Sequence, residues 1–149
     1  MPPLLRNISD TARWVTIYRA NESDRADALF RDPFARRLAG ERGQRIESTM
    51  PAARRNSWPF VVRTCVFDEF IVRSVAEGCD LVLNLAAGLD ARPYRLALPP
   101  SLQWIEIDLP DILDEKEQIL RNEKPACALE RIRLNLTDVS ARRTVFDEL

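Results

Sequence analysis

Apolar residues recur at helical spacing in the first half of the chain and form short continuous runs in the second half. In the first half, Ser9-Asp10-Thr11 is a capping signal that predicts a helix running through Trp14 and Tyr18. This helix is the first of three that the pattern predicts before any strand.

A second helix is indicated by Asp32-Pro33, where an acidic cap precedes proline at the first helical position. Gly40 is placed to end this helix. Residues 41–57 are polar and contain Gly43, which predicts a loop or mobile segment.

The third helix is predicted to start at Ser57-Trp58-Pro59, to carry an apolar stripe and to end at Gly78. Residues 1–78 are therefore mostly helical. We interpret them as a cap laid over a core, not as a separate domain.

Strands and helices alternate in the second half of the chain. Strands are predicted near 81–85, 103–107 and 130–136, with a helix opened by Pro110 after the second and another starting near Ser140 after the third. Strands separated by helices predict an α/β fold with a parallel sheet and right-handed crossovers.

The segment around the first strand is the most informative one. Its apolar run, Leu81–Leu85, has little polar alternation, which favours a strand buried on both faces. The turn Ala86-Ala87-Gly88 is too small to block a ligand, and Gly88 can adopt positive φ so that backbone N–H groups face one. This arrangement suits a nucleotide-cofactor cradle, although an ordinary tight turn explains a single glycine equally well.

Three loops are predicted at the carboxyl ends of the three strands, the edge at which open α/β sheets bind ligands. Asp108 is placed to accept hydrogen bonds from ribose hydroxyls, and Glu106 points to the same face of its strand. A helix cap before Pro110 is the alternative role for Asp108. The loops are Ala86–Asp90, Asp108-Leu109 and Asn135-Leu136.

Composition narrows the classes of function. The chain has 149 residues, 46% of them hydrophobic, which is enough for one globular domain. Its 22 basic and 23 acidic residues give a net charge of −1, so no electrostatic attraction to nucleic acid or an anionic membrane is expected. Histidine is absent from the sequence, which excludes Ser-His and Cys-His mechanisms and histidine metal ligands in this stretch.

The cysteines Cys65, Cys79 and Cys127 are far apart in sequence and odd in number. They indicate reduced thiols in a cytoplasmic protein, and no metal site is expected. The N-terminus lacks a signal-peptide pattern, and no apolar run approaches the roughly 20 residues that span a bilayer.

Three ordered motifs carry a resemblance to a known family: NLAAGLDARPYRL, WIEIDLP and RIRLNLTD. They resemble the leucine carboxyl methyltransferase-like family, and more closely its actinobacterial branch of S-adenosylmethionine-dependent methyltransferases, which includes O-methyltransferases of polyketide biosynthesis. The segments SDTARWVTIYRA, DALFRDPFARRLAGERG and WPFVVRTCVFDEF are similar to the N-terminal helices of that branch. The resemblance therefore covers essentially the whole chain.

The resemblance implies a role for five positions. Gly88 would pass beside the methionine part of S-adenosylmethionine, and Asp108 matches the ribose-binding acid. Asn135 and Leu136 match the pair that frames the adenine. Arg63 matches an arginine that holds the cofactor carboxylate, a task that suits the planar fork of a guanidinium. Without the resemblance, a surface arginine on an amphipathic helix is the favoured interpretation.

The chain departs from the family pattern at two places. The family often has Gly-Ala-Gly where this chain has Ala86-Ala87-Gly88, and an alanine is expected to be tolerated there at negative φ. Asn135 replaces the usual aspartate, and its amide oxygen is expected to accept a weaker hydrogen bond from the adenine amino group.

The implied fold is Rossmann-like, of class I methyltransferases, with residues 1–78 as the helical cap and 79–149 as the N-terminal half of the core. The implied reaction moves a methyl group from S-adenosylmethionine to a carboxylate or hydroxyl oxygen of a small molecule; the catalytic residues are not identified. One rival interpretation is a non-catalytic fragment or remnant that keeps part of the cofactor site. Another, a nicotinamide-dependent oxidoreductase, is disfavoured because GxGxxG does not occur.

The predicted strand order is 3-2-1, which places Leu81–Leu85 at an edge of the sheet. An apolar edge strand is an association hazard. We therefore expect self-association or a longer natural protein, and no turnover by these 149 residues alone.

Overall fold

The computed structural model describes residues 8–49 and 57–148. It shows the predicted α/β fold, with mainly helical segments first and a parallel sheet after them. In chain order the elements are α1 (Ile8–Ser23), α2 (Ala35–Ser48), α3 (Trp58–Ala76), β1 (Leu81–Leu85), α4 (Arg92–Arg95), β2 (Gln103–Asp108), α5 (Pro110–Leu120), β3 (Ala128–Arg133) and α6 (Val139–Glu148).

The helix predicted through Trp14 and Tyr18 is present as α1. Its predicted cap is misplaced, because α1 includes Ile8 and the segment 9–11 lies within the helix. Tyr18 packs on α2 in a buried cluster with Ala35, and Trp14 and Phe60 lie against that cluster.

Helix α2 corrects the prediction of a loop after Gly40. Gly40 has a φ of 59° and interrupts the helix, but helical structure resumes and continues to Ser48. The loop prediction relied on Gly43, but this glycine lies within the helix. A Cβ there would lie 2.9 Å from the Cβ of Ala39 and 3.2 Å from the carbonyl oxygen of Arg13. This glycine permits close packing of α2 on α1 and does not mark a loop. Residues 50–56 of the predicted loop lie outside the described residues.

Helix α3 has the predicted boundaries. Ser57 is its N-cap residue, with proline in the first turn, and Gly78 follows the helix with a φ of 104°. Near its C-terminal end, Ile71 and Val75 pack against a buried cluster that contains Trp104. The helix therefore rests on the sheet at one end and, through Phe60, on α1 near the other.

The sheet has the predicted parallel order, with β2 between β1 and β3. Helices α5 and α6 occur as predicted, whereas β3 ends at Arg133, earlier than the predicted residue 136. Beyond the strand, Leu134 still donates its N–H to the Asp108 carbonyl at 2.8 Å, and then Asn135 starts a turn. The candidate adenine-binding pair thus lies on a loop.

Strand β1 lies at an edge of this sheet, as predicted, but it is not buried on both faces. Leu81, Leu83 and Leu85 share one face by strand alternation and remain 39%, 38% and 46% exposed. Within residues 8–49 and 57–148 nothing covers this face fully.

None of the described helices is both long and apolar enough to cross a membrane.

Candidate functional site

A cavity opens at the carboxyl ends of the strands, beneath α1 and α3. Its volume is about 750 Å³, within the range of about 300–1,000 Å³ that is typical of small-molecule sites. All five predicted site residues line this one cavity: Arg63, Gly88, Asp108, Asn135 and Leu136. Apolar side chains of Val15, Phe60 and Ile112 form part of its wall.

The turn after β1 has an unusual backbone. Gly88 has a φ of 51°, as predicted, and Ala86 has a φ of 53°. The expectation of negative φ at Ala86 is therefore wrong. A side chain in the left-handed region brings Cβ close to the following carbonyl oxygen, at a cost of about 1–2 kcal/mol.

Asp108 fastens this turn to the end of β2. Its Oδ2 accepts the N–H of Gly88 at 2.7 Å, and its Oδ1 accepts the N–H of Leu109 at 2.7 Å. The Gly88 N–H therefore does not face a ligand, contrary to expectation. Since a carboxylate has about four acceptor positions, two remain free to accept further hydrogen bonds.

The alternative role of Asp108 as a helix cap is not observed. The N-cap residue of α5 is Leu109, and no side chain caps that helix. Asp108 bonds instead to the Leu109 N–H, which precedes the helical amides that need a cap.

Glu106 is fully buried and is not a cavity residue. It accepts hydrogen bonds from Lys116 Nζ at 2.6 Å and from Arg131 Nε at 3.1 Å. Burial raises the pKa of Glu106 and lowers the pKa of Lys116, because each charged form has lost its water. Glu106 thus belongs to a buried ion pair beneath the site.

Arg63 lies on the exposed side of α3 and lines the cavity. Its guanidinium stands 5.8 Å from the ring centre of Phe67, and Arg92 stands 6.0 Å from the same centre. Among the residues that the structure describes, Arg63 makes no ion pair. Its positive charge is therefore available to an anionic group in the cavity.

Asn135 is differently engaged than predicted. Its Oδ1 accepts the Thr137 N–H at 3.0 Å and the Thr137 hydroxyl at 2.8 Å. The amide oxygen expected to meet the adenine amino group is therefore used in a local turn. Leu136 follows it and supplies an apolar wall of the cavity.

Two residues of the GLDAR segment, Asp90 and Arg92, line the cavity but were not predicted as site residues. Asp90 accepts hydrogen bonds from Arg92 Nη1 at 2.6 Å, from the Arg92 N–H at 2.9 Å and from Asn84 Nδ2 at 3.1 Å. Burial alone would raise the pKa of Asp90, but the charges of Arg92, Lys116 and Arg19 lower it to about 2. The one signal in the sequence is that Asp90 comes two residues before Arg92. At this spacing an aspartate side chain often accepts the backbone N–H and forms a turn.

The cavity is therefore lined by the cation of Arg63, which makes no ion pair among the described residues, and by the Asp108 carboxylate, which keeps free acceptor positions. These groups fit a ligand that carries both an anionic group and hydroxyl donors. The described part of the chain brings together no group of three side chains suited to hold a metal ion.

Comparison with known proteins shows which family the sequence matches. The family model described as leucine carboxyl methyltransferase matches residues 12–145. Three similar proteins carry the name putative S-adenosyl-L-methionine-dependent methyltransferase. They come from Streptomyces coelicolor, 39% identical over 82% of this chain, Mycobacteroides abscessus, 33% over 95%, and Mycobacterium tuberculosis, 32% over 89%.

The aligned region covers 46%, 52% and 48% of these three proteins, respectively. The chain thus spans about half the length of the curated relatives it matches.

Proposed function

We propose, since this chain belongs to the leucine carboxyl methyltransferase family, that its cavity binds S-adenosylmethionine for methyl transfer to a small molecule. The observation that carries the proposal is the convergence of all five predicted residues on one cavity. They come from α3, from the last residue of β2 and from the loops after β1 and β3, segments far apart in sequence.

The adenosine part would lie over the ends of β2 and β3. Asp108 would accept hydrogen bonds from the ribose hydroxyls through the acceptor positions that Gly88 and Leu109 leave free. Leu136 would pack on the adenine. Asn135 could turn its amide group toward the base, although its oxygen already serves Thr137.

The methionine part would lie between α3 and the turn after β1. Arg63 would bind its carboxylate, because a guanidinium donates two parallel hydrogen bonds to a planar anion. Gly88 leaves room beside the chain, since a Cβ there would have the Ala12 Cβ at 3.6 Å as its nearest neighbour. The positive φ of Gly88 also keeps side chains out of this position.

When bound, the cofactor would supply a methyl group made electrophilic by its sulfonium. The residues named here would fix the cofactor so that an acceptor can approach in line, and positioning of this kind supplies much of the rate of a displacement. A carboxylate acceptor would need no general base, whereas a hydroxyl would benefit from one. We propose O-methylation of one or the other, without nucleic acid or a membrane as partner.

A non-catalytic role is the second candidate, favoured by the exposed face of β1. In that case the chain would keep part of the cofactor site and act through association. The proposed location is the cytoplasm, supported by Cys65, Cys79 and Cys127, which are all free thiols.

Isothermal titration of the wild-type chain with S-adenosylhomocysteine, the demethylated product, and with NAD tests the proposed cofactor. We expect tighter binding of S-adenosylhomocysteine, because Arg63 can hold its carboxylate and no dinucleotide fingerprint is present. Tighter binding of NAD would overturn the proposal.

A further inference from the structure

Six alternating charges link the helical cap to the turn that follows β1. Asp68 comes from α3, Arg19 from α1, and Asp32 from the segment between α1 and α2. All six side chains are at most 16% exposed. In order of contact they are Arg19, Asp32, Arg95, Asp68, Arg92 and Asp90.

Asp68 is the junction between α3 and the turn. Its Oδ1 accepts hydrogen bonds from Arg92 Nε at 2.7 Å and from Arg95 Nη2 at 2.7 Å. Arg92 then donates from Nη1 to Asp90 Oδ2 at 2.6 Å. One guanidinium thus joins helix α3 to the last residue of the turn.

Arg92 also reaches the candidate carboxylate-binding arginine through an aromatic ring. The guanidinium carbons of Arg63 and Arg92 lie 5.8 and 6.0 Å from the centre of the Phe67 ring. Cation–π attraction of this kind orients both partners. The position of Arg92 therefore bears on where the Arg63 side chain points.

The other end of the network also contacts the turn. Arg19 donates from Nη2 to the carbonyl oxygen of Leu89 at 2.6 Å and from Nε to Asp32 Oδ2 at 2.9 Å. Arg95 Nε lies 3.8 Å from the same Asp32 oxygen. Residues 89 and 90 are thus held by charge-assisted bonds from both α1 and α4.

Helix α3 does not need this network to stay on the protein. Phe60 near its start and Ile71 and Val75 near its end already pack in apolar clusters. Buried ion pairs add little net stability, because desolvation offsets the Coulomb attraction. What the fork of an arginine does provide is a fixed distance and angle between two elements.

We infer that Asp68 and Arg92 are positioning residues that set the spacing between Arg63 and Gly88, the two sides of the proposed methionine subsite. This inference rests on the proposed function. Neither residue needs to touch the cofactor for this role. Its consequence is selective: the network governs recognition of the amino-acid part of the ligand and leaves recognition of the nucleoside to Asp108.

The test compares two ligands on one variant. S-adenosylhomocysteine has the amino-acid part, whereas 5′-methylthioadenosine keeps the nucleoside and thioether without it. In Asp68→Asn, titration should show about a tenfold loss of S-adenosylhomocysteine affinity, which corresponds to about 1.4 kcal/mol. The affinity for 5′-methylthioadenosine should change by less than about twofold, or about 0.4 kcal/mol.

Glu115→Gln is the matched control. Glu115 on α5 pairs with Arg13 on α1 at 2.5 Å, so this change also neutralises a carboxylate that ties the cap to the core, but away from the cavity. It should leave both affinities unchanged. Arg92→Lys serves as a second variant if Asp68→Asn does not fold. It keeps the positive charge but loses the planar guanidinium, and it should show the same selective loss of S-adenosylhomocysteine affinity.

The outcomes separate this inference from the proposed function. Wild-type preference for S-adenosylhomocysteine together with unchanged binding in both variants would overturn the inference and leave the function standing. Equal loss of both ligands would show a merely structural role and overturn it as well. Failure of the wild-type chain to bind either ligand would overturn both.

Discussion

At the scale of single residues, Ala86 shows where the local sequence opposes the structure. Its φ of 53° lies in the region that favours glycine, and its side chain is exposed. Ala86→Gly should therefore raise the free energy of unfolding by about 1 kcal/mol, because strain is removed and little apolar burial is lost.

Urea denaturation followed by circular dichroism measures this change. Ala87→Gly is the control, because Ala87 has an ordinary φ and is buried, so glycine there should lower stability. Equal effects of the two substitutions would argue against strain at Ala86.

Asp108 and Glu106 are two acids of one strand with different roles. Asp108→Ala should weaken binding of S-adenosylhomocysteine by about 1.5–3 kcal/mol, the range for hydrogen bonds to charged groups. Glu106→Gln should instead lower stability by about 3 kcal/mol, because it leaves Lys116 and Arg131 without a buried counter-charge. Glu106→Gln should change the affinity for S-adenosylhomocysteine only slightly.

Titration calorimetry on both variants, with thermal denaturation alongside, distinguishes these roles. A similar loss of affinity in the two variants would contradict the assignment of Asp108 to the ribose.

At the scale of elements, the sequence predicted most of what local pattern determines. The start of α3 was predicted from its cap residue and proline, and the bounds of β1 from its apolar run. Both predictions match the structure. The loop predicted around Gly43 was wrong because this glycine allows two helices to contact each other, and a local sequence pattern does not show contacts between helices. The end of β3 was misplaced because Asn135, which the prediction included in the strand, starts a turn by accepting hydrogen bonds from Thr137.

In the site, too, some residues were predicted from the sequence and their contacts were not. Gly88, Asp108 and Asn135 line one cavity because the carboxyl ends of parallel strands meet at one edge of the sheet. Arg63 lies on α3, and only the family resemblance indicated it. The contact between Asp68 and Arg92 could not be predicted, because these residues lie on separate elements and only the packing of α3 on the core brings them together. The pairing of Asp90 with Arg92 is local and spans two residues.

At the scale of the whole molecule, the free edge of β1 and its exposed leucines predict self-association. The 149-residue chain should elute from size-exclusion chromatography above its monomer mass of 17.1 kDa. Leu81→Lys should shift it toward the monomer, because a charge on an edge strand opposes further pairing.

Leu29→Lys is the matched control for this experiment. Leu29 is 59% exposed but lies outside the strands, so its replacement should leave the elution unchanged. A wild-type chain that elutes as a monomer would contradict association through this edge.

We propose that one cavity at the carboxyl ends of the strands binds S-adenosylmethionine between Asp108 and Arg63. A crystal structure of the chain with S-adenosylhomocysteine would show whether it does. The ribose hydroxyls should donate to the Asp108 carboxylate, and the ligand carboxylate should lie within hydrogen-bond distance of the Arg63 guanidinium. A nucleoside bound away from this edge, or a carboxylate held by another cation, would contradict the claim.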